Sequence, residues 1–463
     1  MIIGDSIRKY EREIVHHIQE LIRIRSVASE PLPGKPFGEG VDKALSYMLE
    51  LGASMGFAVK NVDGYAGHAE YGTGEELTAV LVHLDTVPEG SGWSCGPFDA
   101  EIHEGKIYGR GASDNKGPAV IALFALKALK DSGIVPERRI RIIFGTNEEN
   151  GMTDMDHYFA KEPLPDYGFT PDACYPIINA EKGAYVIKLK QSRKAARHQT
   201  RLLTIAGGTA ANVVPELCRA LLSLEEDGEA ELARIRLLAE TNSQIELGSM
   251  NGPVLEIMAA GKTAHGASPS AGINAVAHMV DFLMQISDIS SDEDFLRFIQ
   301  EAIGFETFGE SLGIACSDPV HGELTLNLAK IRLDEREAEV TLNIRHPVTI
   351  SGEDVLAKLR QRVGHAGIEM EVAGYNQALF VAPDHPLIRM LSRAYEGVTG
   401  KPTELLSIGG GTYAKKMQNR GVAFGAGVGG GAHQPDEFIP IAEMMDHGVI
   451  CLQAIFELSY LEK

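Results

Sequence analysis

A chain of 463 residues with 44% hydrophobic and 23% charged side chains has the make-up of an ordinary globular protein, long enough for about two to three domains. Its formal net charge of −21 argues against nucleic acid or an anionic membrane as a partner, because phosphates would be repelled. The cysteines Cys95, Cys174, Cys218, Cys316 and Cys451 are scattered and form no CxxC pair. That excludes a disulfide framework and a thiolate zinc site, and it points to a reducing compartment, the cytoplasm.

The opening stretch, MIIGDSIRKYEREIV, carries charge from residue 5 onward and lacks the apolar run of a signal peptide. Ile7, Tyr10, Ile14, Ile18, Leu21 and Ile22 recur at helical spacing and predict a helix over 5–25; a second is expected over 41–56. TAVLV (78–82) and RIRIIF (139–144) read as buried strands. Between them, GPAVIALFALKALK (117–130) reads as a helix with Pro118 in its first turn. Strand, helix, strand in that order predicts a βαβ unit and a largely parallel sheet. The longest apolar run, 118–126, is too short to cross a bilayer.

From about residue 184 to about 376 the pattern changes. Short alternating strands such as 323–330 and 337–344 are interspersed with helical patterns at 272–286 and 352–363, the style of an α+β region with antiparallel strands. After residue 385 the glycine-rich style returns, and an amphipathic helix is expected over 442–461. The expected fold is therefore α/β. A mixed, largely parallel sheet flanked by helices, from 1–183 and 380–463, is interrupted by an inserted α+β domain, 184–379.

Ligands of such sheets collect beyond the C-terminal strand ends. VLVHLDTVP (80–88) ends a strand on His83 and Asp85, and GTNEENG (145–151) follows the next strand with Glu148 and Glu149. GRGASDNKGP places Asp114 before a helix, TPDACYP offers Asp172, and GAHQPDE offers His433 among glycines. Singly, each has a structural reading: a hydrogen-bonded histidine, a solvated acidic loop, a helix cap. As a set, two imidazoles and several carboxylates without sulfur suit two divalent ions, most simply zinc, with manganese or cobalt also compatible. A carboxylate shared between two ions is the usual way to hold such a pair. One of the adjacent glutamates would ligate metal while its neighbour handles a proton, and Asp85 suits the role of orienting a liganding imidazole.

The ordered set HLDTVP, GRGASDNKG, NEENG, a downstream aspartate and a late GAHQPDE resembles the aminoacylase and carboxypeptidase family of dinuclear zinc metallopeptidases, in particular its bacterial dipeptidase V branch. The resemblance covers nearly the whole chain. It implies that His83 and Asp172 hold one metal ion, that His433 and Glu149 hold the other, and that Asp114 bridges both. It further implies that Glu148 is the general base, that Asp85 orients His83, and that the Asp114–Asn115 peptide is cis. Asp172 is preferred over Glu181, on the same stretch, because PDACYP fits the family motif. The inserted domain becomes a lid. From it His265 would stabilise the oxyanion, while Asn212 and Arg345 would bind the substrate's C-terminal carboxylate; Gly410, Gly411 and Thr412 would supply backbone N–H groups near that carboxylate. The implied protein is a cytoplasmic, monomeric dipeptidase acting on unblocked dipeptides. A deacylase for N-acyl or N-succinyl amino acids, with the same centre, and a catalytically silent metal-binding scaffold are the alternatives.

Overall fold

The computed structural model describes residues 1–194, 198–224 and 228–461. It forms two compact units: Met1–Ala180 with Leu379–Lys463, and Glu181–Ala378.

The first unit is built on a nine-stranded sheet. Its four central strands, Arg139–Gly145, Leu77–His83, Tyr167–Thr170 and Gly421–Ala423, lie side by side and run parallel. Ala58–Val62 and Ala66–Tyr71 extend one edge in antiparallel register. The result is the mixed, largely parallel sheet that the βαβ pattern predicts. Leu77–His83 has every residue buried, as expected for a strand with parallel neighbours on both sides. The helix Gly117–Asp131, with Pro118 at its start, is apolar on nearly all sides and is correspondingly buried from Gly117 to Leu126. It packs against the helices Glu11–Arg23 and Ile441–Leu458. Each Val, Leu, Ile or Phe removed from water there contributes about 1.5–3 kcal/mol to the core.

The helix expected over 5–25 starts differently. Gly4–Tyr10 is a 3-10 segment and only Glu11–Arg23 is α-helical. Ile7, Tyr10, Ile14, Ile18, Leu21 and Ile22 are nevertheless all buried, so the apolar stripe is used across the change of pitch. Away from the main sheet, Phe438–Pro440 pairs with Lys106–Tyr108, which pairs with Ile102–His103. This small sheet fixes the chain that follows His433 beside the chain that precedes Asp114.

The second unit carries an eight-stranded sheet whose paired strands are all antiparallel. The patterns at 323–330 and 337–344 become the paired strands Thr325–Leu333 and Glu337–His346. The pattern at 272–286 becomes the helix Ala275–Met284, capped by the Asn274 side chain, and 352–363 becomes Gly352–His365, capped by Ser351. Among the described residues no helix is long and apolar enough to cross a membrane.

One buried group makes acid stability a test of this packing. His447, on Ile441–Leu458, hydrogen-bonds through Nδ1 to the Tyr175 hydroxyl at 2.7 Å, and burial pushes its imidazole down to about 3. Above the ordinary value of 6.5 the ring is neutral folded or unfolded. Below it the unfolded chain takes up a proton that the folded chain refuses, so stability falls by up to about 1.4 kcal/mol per pH unit. Denaturant midpoints for His447→Gln are expected to decline less between pH 7 and pH 5 than those of the wild type; equal declines would show that His447 does not carry this sensitivity.

Candidate metal centre

His83 is the last residue of its strand, and its ring reaches out where the parallel sheet ends. Asp114 lies on the turn that opens the helix Gly117–Asp131, and the peptide that follows it is cis. Glu148 and Glu149 follow the strand Arg139–Gly145, and Asp172 follows Tyr167–Thr170. His433 comes from a glycine-rich loop. That loop is drawn in by paired hydrogen bonds between Gly430 and Phe438, and Gly429 has φ +87°, where a Cβ would lie 2.2 Å from the Phe438 carbonyl oxygen. Only glycine fits there.

The side chains converge on Asp114. His83 Nε2 is 2.9 Å from Asp114 Oδ1 and 3.5 Å from Asp172 Oδ1. His433 Nε2 is 3.1 Å from Asp114 Oδ2 and 2.9 Å from Glu149 Oε1. Two groups result, His83–Asp114–Asp172 and Asp114–Glu149–His433, each with its ligand atoms within 4.8 Å of one another. Asp114 belongs to both. Glu148 and Glu181 belong to neither. Beside the groups lies a cavity of about 310 Å3 lined by Ser113, Asp114, Asp172, Ala173 and the stretch 426–430.

The electrostatics express a shortage of positive charge. Burial alone would push the His83 imidazole down, but the carboxylates of Asp172, Asp114 and Asp85 hold it well above its ordinary value. Hydrogen bonds to Asp114 and Glu149 raise His433 to about 10. Burial, the neighbouring carboxylates adding to it, pushes Glu148, Glu149 and Asp172 up. Asp114 goes the other way: against its burial, hydrogen bonds from His433 and His83 hold its carboxylate below the usual range. Nitrogen and oxygen ligands at this spacing, with a carboxylate common to both groups, fit two divalent ions of the zinc, manganese or cobalt kind.

Asp85 departs from the sequence-based picture. Its carboxylate is 3.6 Å from His83 Nδ1, beyond a hydrogen bond, and Nδ1 bonds instead to the Asp85 backbone carbonyl at 3.0 Å. The two carboxylate oxygens accept the backbone N–H groups of Glu148 and Glu149, each at 3.1 Å. Asp85 therefore meets the imidazole through its main chain and the N–H groups of the two glutamates through its side chain.

Several supporting residues escaped the sequence reading. Asn115 donates to Asp172 Oδ1 and to the Pro171 carbonyl, both at 2.9 Å. Asp154 accepts the N–H groups of Thr146 at 2.6 Å and Asn147 at 3.1 Å, together with the Tyr413 hydroxyl. The Tyr413 ring stands edge-on to His83 with centroids 6.3 Å apart. Glu437 receives the turn that carries Asp114. Asn115 and Glu437 sit inside the quoted motifs, which was the available signal. Asp154 and Tyr413 give none, since an aspartate near a helix start and an aromatic after glycines are commonplace.

The remaining expected residues divide between the units. Gly410, Gly411 and Thr412 belong to the first, and Thr412 caps the short helix Tyr413–Met417 by accepting from Ala414 N. His265 and Asn212 are exposed neighbours in the second unit, joined by a Val213–His265 bridge and by Gly266 N donating to the Asn212 carbonyl at 2.7 Å. Arg345, on Glu337–His346, is buried and donates through Nε to Asn343 Oδ1 at 3.0 Å.

Residues 79–457 match the family described as "Peptidase family M20/M25/M40". The Bacillus subtilis (strain 168) protein named "Putative dipeptidase YtjP" is 39% identical, with 98% of each chain covered. Human carnosine dipeptidase 1 shares the fold with a TM-score of 0.62 at 15% identity, over 99% of this chain and 98% of that one. Aminoacylhistidine dipeptidase from Vibrio alginolyticus has a TM-score of 0.55 at 18% identity, over 95% and 96%. The fold class and the family expected from the motifs both hold: the chain belongs to peptidase family M20/M25/M40.

Proposed function

We propose that the chain is a dinuclear metallo-dipeptidase that hydrolyses the peptide bond of small, unblocked dipeptides. The observation that carries this reading is the position of Asp114, one oxygen towards His83 and the other towards His433, with Glu148 beside both groups and a member of neither. The names of the relatives, dipeptidases among them, favour the same substrate class.

In this proposal His83, Asp172 and Asp114 would hold one ion, and Asp114, Glu149 and His433 would hold the other. Zinc is the first choice, with manganese or cobalt as the other candidates. Divalent ions bound there would supply Lewis acidity towards a water and a substrate carbonyl. Glu148 takes a proton from that water as its oxygen adds to the carbonyl carbon. It then returns the proton to the amine nitrogen as the C–N bond breaks. Asp85 keeps Glu148 and Glu149 in register, and the Nδ1 bond to its carbonyl leaves His83 Nε2 as the liganding atom. A monomer in the cytoplasm completes the proposal; the five free cysteines suit a reducing compartment.

The test begins with chelation, followed by addition of zinc or manganese. Hydrolysis is then measured on β-Ala-His, Ala-Ala, a tripeptide and an N-acetyl amino acid. Cleavage confined to the dipeptides, lost on chelation and restored by metal, is expected. Cleavage of the acyl amino acid alone would make the chain a deacylase, and silence across the panel would make it a scaffold. Glu148→Gln is expected to lower turnover by about 10²–10⁴-fold with metal content unchanged. If its turnover stays within a few-fold of the wild type, another group is the base. Asp85→Asn keeps only one good acceptor for two N–H groups. Competition titration against a chelator should show its metal affinity weakened by about 10–100-fold, and wild-type affinity would argue against the loop-holding role.

A further inference from the structure

We infer that Glu437 is a positioning residue of the metal centre, holding the Asp114 turn and the His433 loop in one frame without ligating metal itself. The inference rests on the reading of Asp114 and His433 as ligands.

Glu437 is fully buried. Its Oε1 accepts from Ser113 N at 3.0 Å, Ser113 Oγ at 3.1 Å and Asp114 N at 3.1 Å. Its Oε2 accepts from Arg110 Nη1 at 2.7 Å and Gly111 N at 2.9 Å. Both oxygens are thus committed to donors of the segment 110–114, and Glu437 belongs to neither metal-binding group. Its own carbonyl accepts from Gly109 N at 2.9 Å, and the next residue begins the strand Phe438–Pro440. His433 lies four residues upstream on the same chain. One carboxylate therefore grips the backbone N–H of Asp114, whose torsions decide where its two oxygens point, and anchors the end of the loop that presents His433.

An ordinary buried ion pair would be satisfied by Arg110 alone. What sets Glu437 apart is that three backbone N–H groups of the ligand-bearing turn share the same carboxylate. A glutamine has one acceptor oxygen, and its NH₂ group would face donors on the other side, so it cannot serve both. The pair also has a built-in reporter. Trp93 is the chain's single tryptophan, and the Arg110 guanidinium lies over its ring, 5.2 Å from the centroid. Arg110 Nη2 at 3.3 Å and Trp93 Nε1 at 2.7 Å both donate to the Glu89 carbonyl. Trp93, Arg110, Glu437 and Asp114 are thereby joined in a continuous series of contacts.

The experiment titrates zinc into chelator-stripped wild type and Glu437→Gln against a chromophoric competitor while Trp93 emission is recorded. Loss of stability alone is expected of any broken buried ion pair, so Glu162→Gln serves as the control. Glu162 is buried and bonded to Arg141 and Lys60, away from the ligand set. Glu437→Gln is expected to weaken zinc binding by about 10–100-fold and to diminish the metal-induced change in Trp93 emission, while Glu162→Gln loads like the wild type. Wild-type affinity in a folded Glu437→Gln protein overturns the inference alone; a wild type that takes up no zinc overturns the metal-centre reading and the inference with it. Should Glu437→Gln fail to fold, Ser113→Ala removes one side-chain donor to Oε1, and an affinity loss of about fivefold is expected, with no loss overturning the inference.

Discussion

Mutual repulsion among carboxylates is the constraint on which this structure turns. Asp114, Asp172, Glu148 and Glu149 share one site with the imidazoles of His83 and His433. Burial and the neighbouring carboxylates push Glu148, Glu149 and Asp172 up, while hydrogen bonds from the two imidazoles hold Asp114 down against its burial. The chain therefore has to keep acidic groups close together that would otherwise separate, and much of the surrounding loop structure serves that end.

The means is a second set of carboxylates acting on the main chain. Asp85 takes the N–H groups of Glu148 and Glu149, Asp154 those of Thr146 and Asn147, and Glu437 those of Gly111, Ser113 and Asp114. All three are buried. Each fixes a loop by its peptide groups, so that Asp85 and Glu437 hold the main chain of Glu148, Glu149 and Asp114 without engaging their carboxylates. A carboxylate accepts several such bonds where a neutral acceptor manages fewer, and bonds to a charged group are the stronger kind. The cost is added negative charge, partly offset at Glu437 by Arg110.

The site was legible in the sequence to the extent that chemistry is carried by residue type at a strand end. VLVH reads as a buried strand finishing on an imidazole because every residue but the last is aliphatic, and the structure buries all of Leu77–His83. What could not be read is which atom of Asp85 meets His83. Carbonyl and carboxylate of one residue compete within an ångström, and the turn after the strand decides between them. Glu437 was hidden for a related reason: an acidic pair after proline looks like a solvated turn, and its buried partners lie more than 300 residues away in sequence. In the second unit the strands survived the reading because alternation is strong. The helix 272–286 shortened because Pro269–Ala271 forms its own 3-10 turn and Asn274 sets the start.

The chain leaves the first sheet at Ile177–Glu181 and returns to it beside the same strand at Leu379–Phe380, where Val381 N donates to the Asn179 carbonyl at 2.9 Å. During synthesis this sets an order of events. The parallel strand Gly421–Ala423, the helix Ile441–Leu458 and His433 all emerge after the whole second unit. A nascent chain holding residues 1–180 has made the apolar helix Gly117–Asp131 without its C-terminal packing partner Ile441–Leu458. Of the residues that converge on Asp114, His433 is therefore the last that the ribosome delivers, some 260 residues after Asp172.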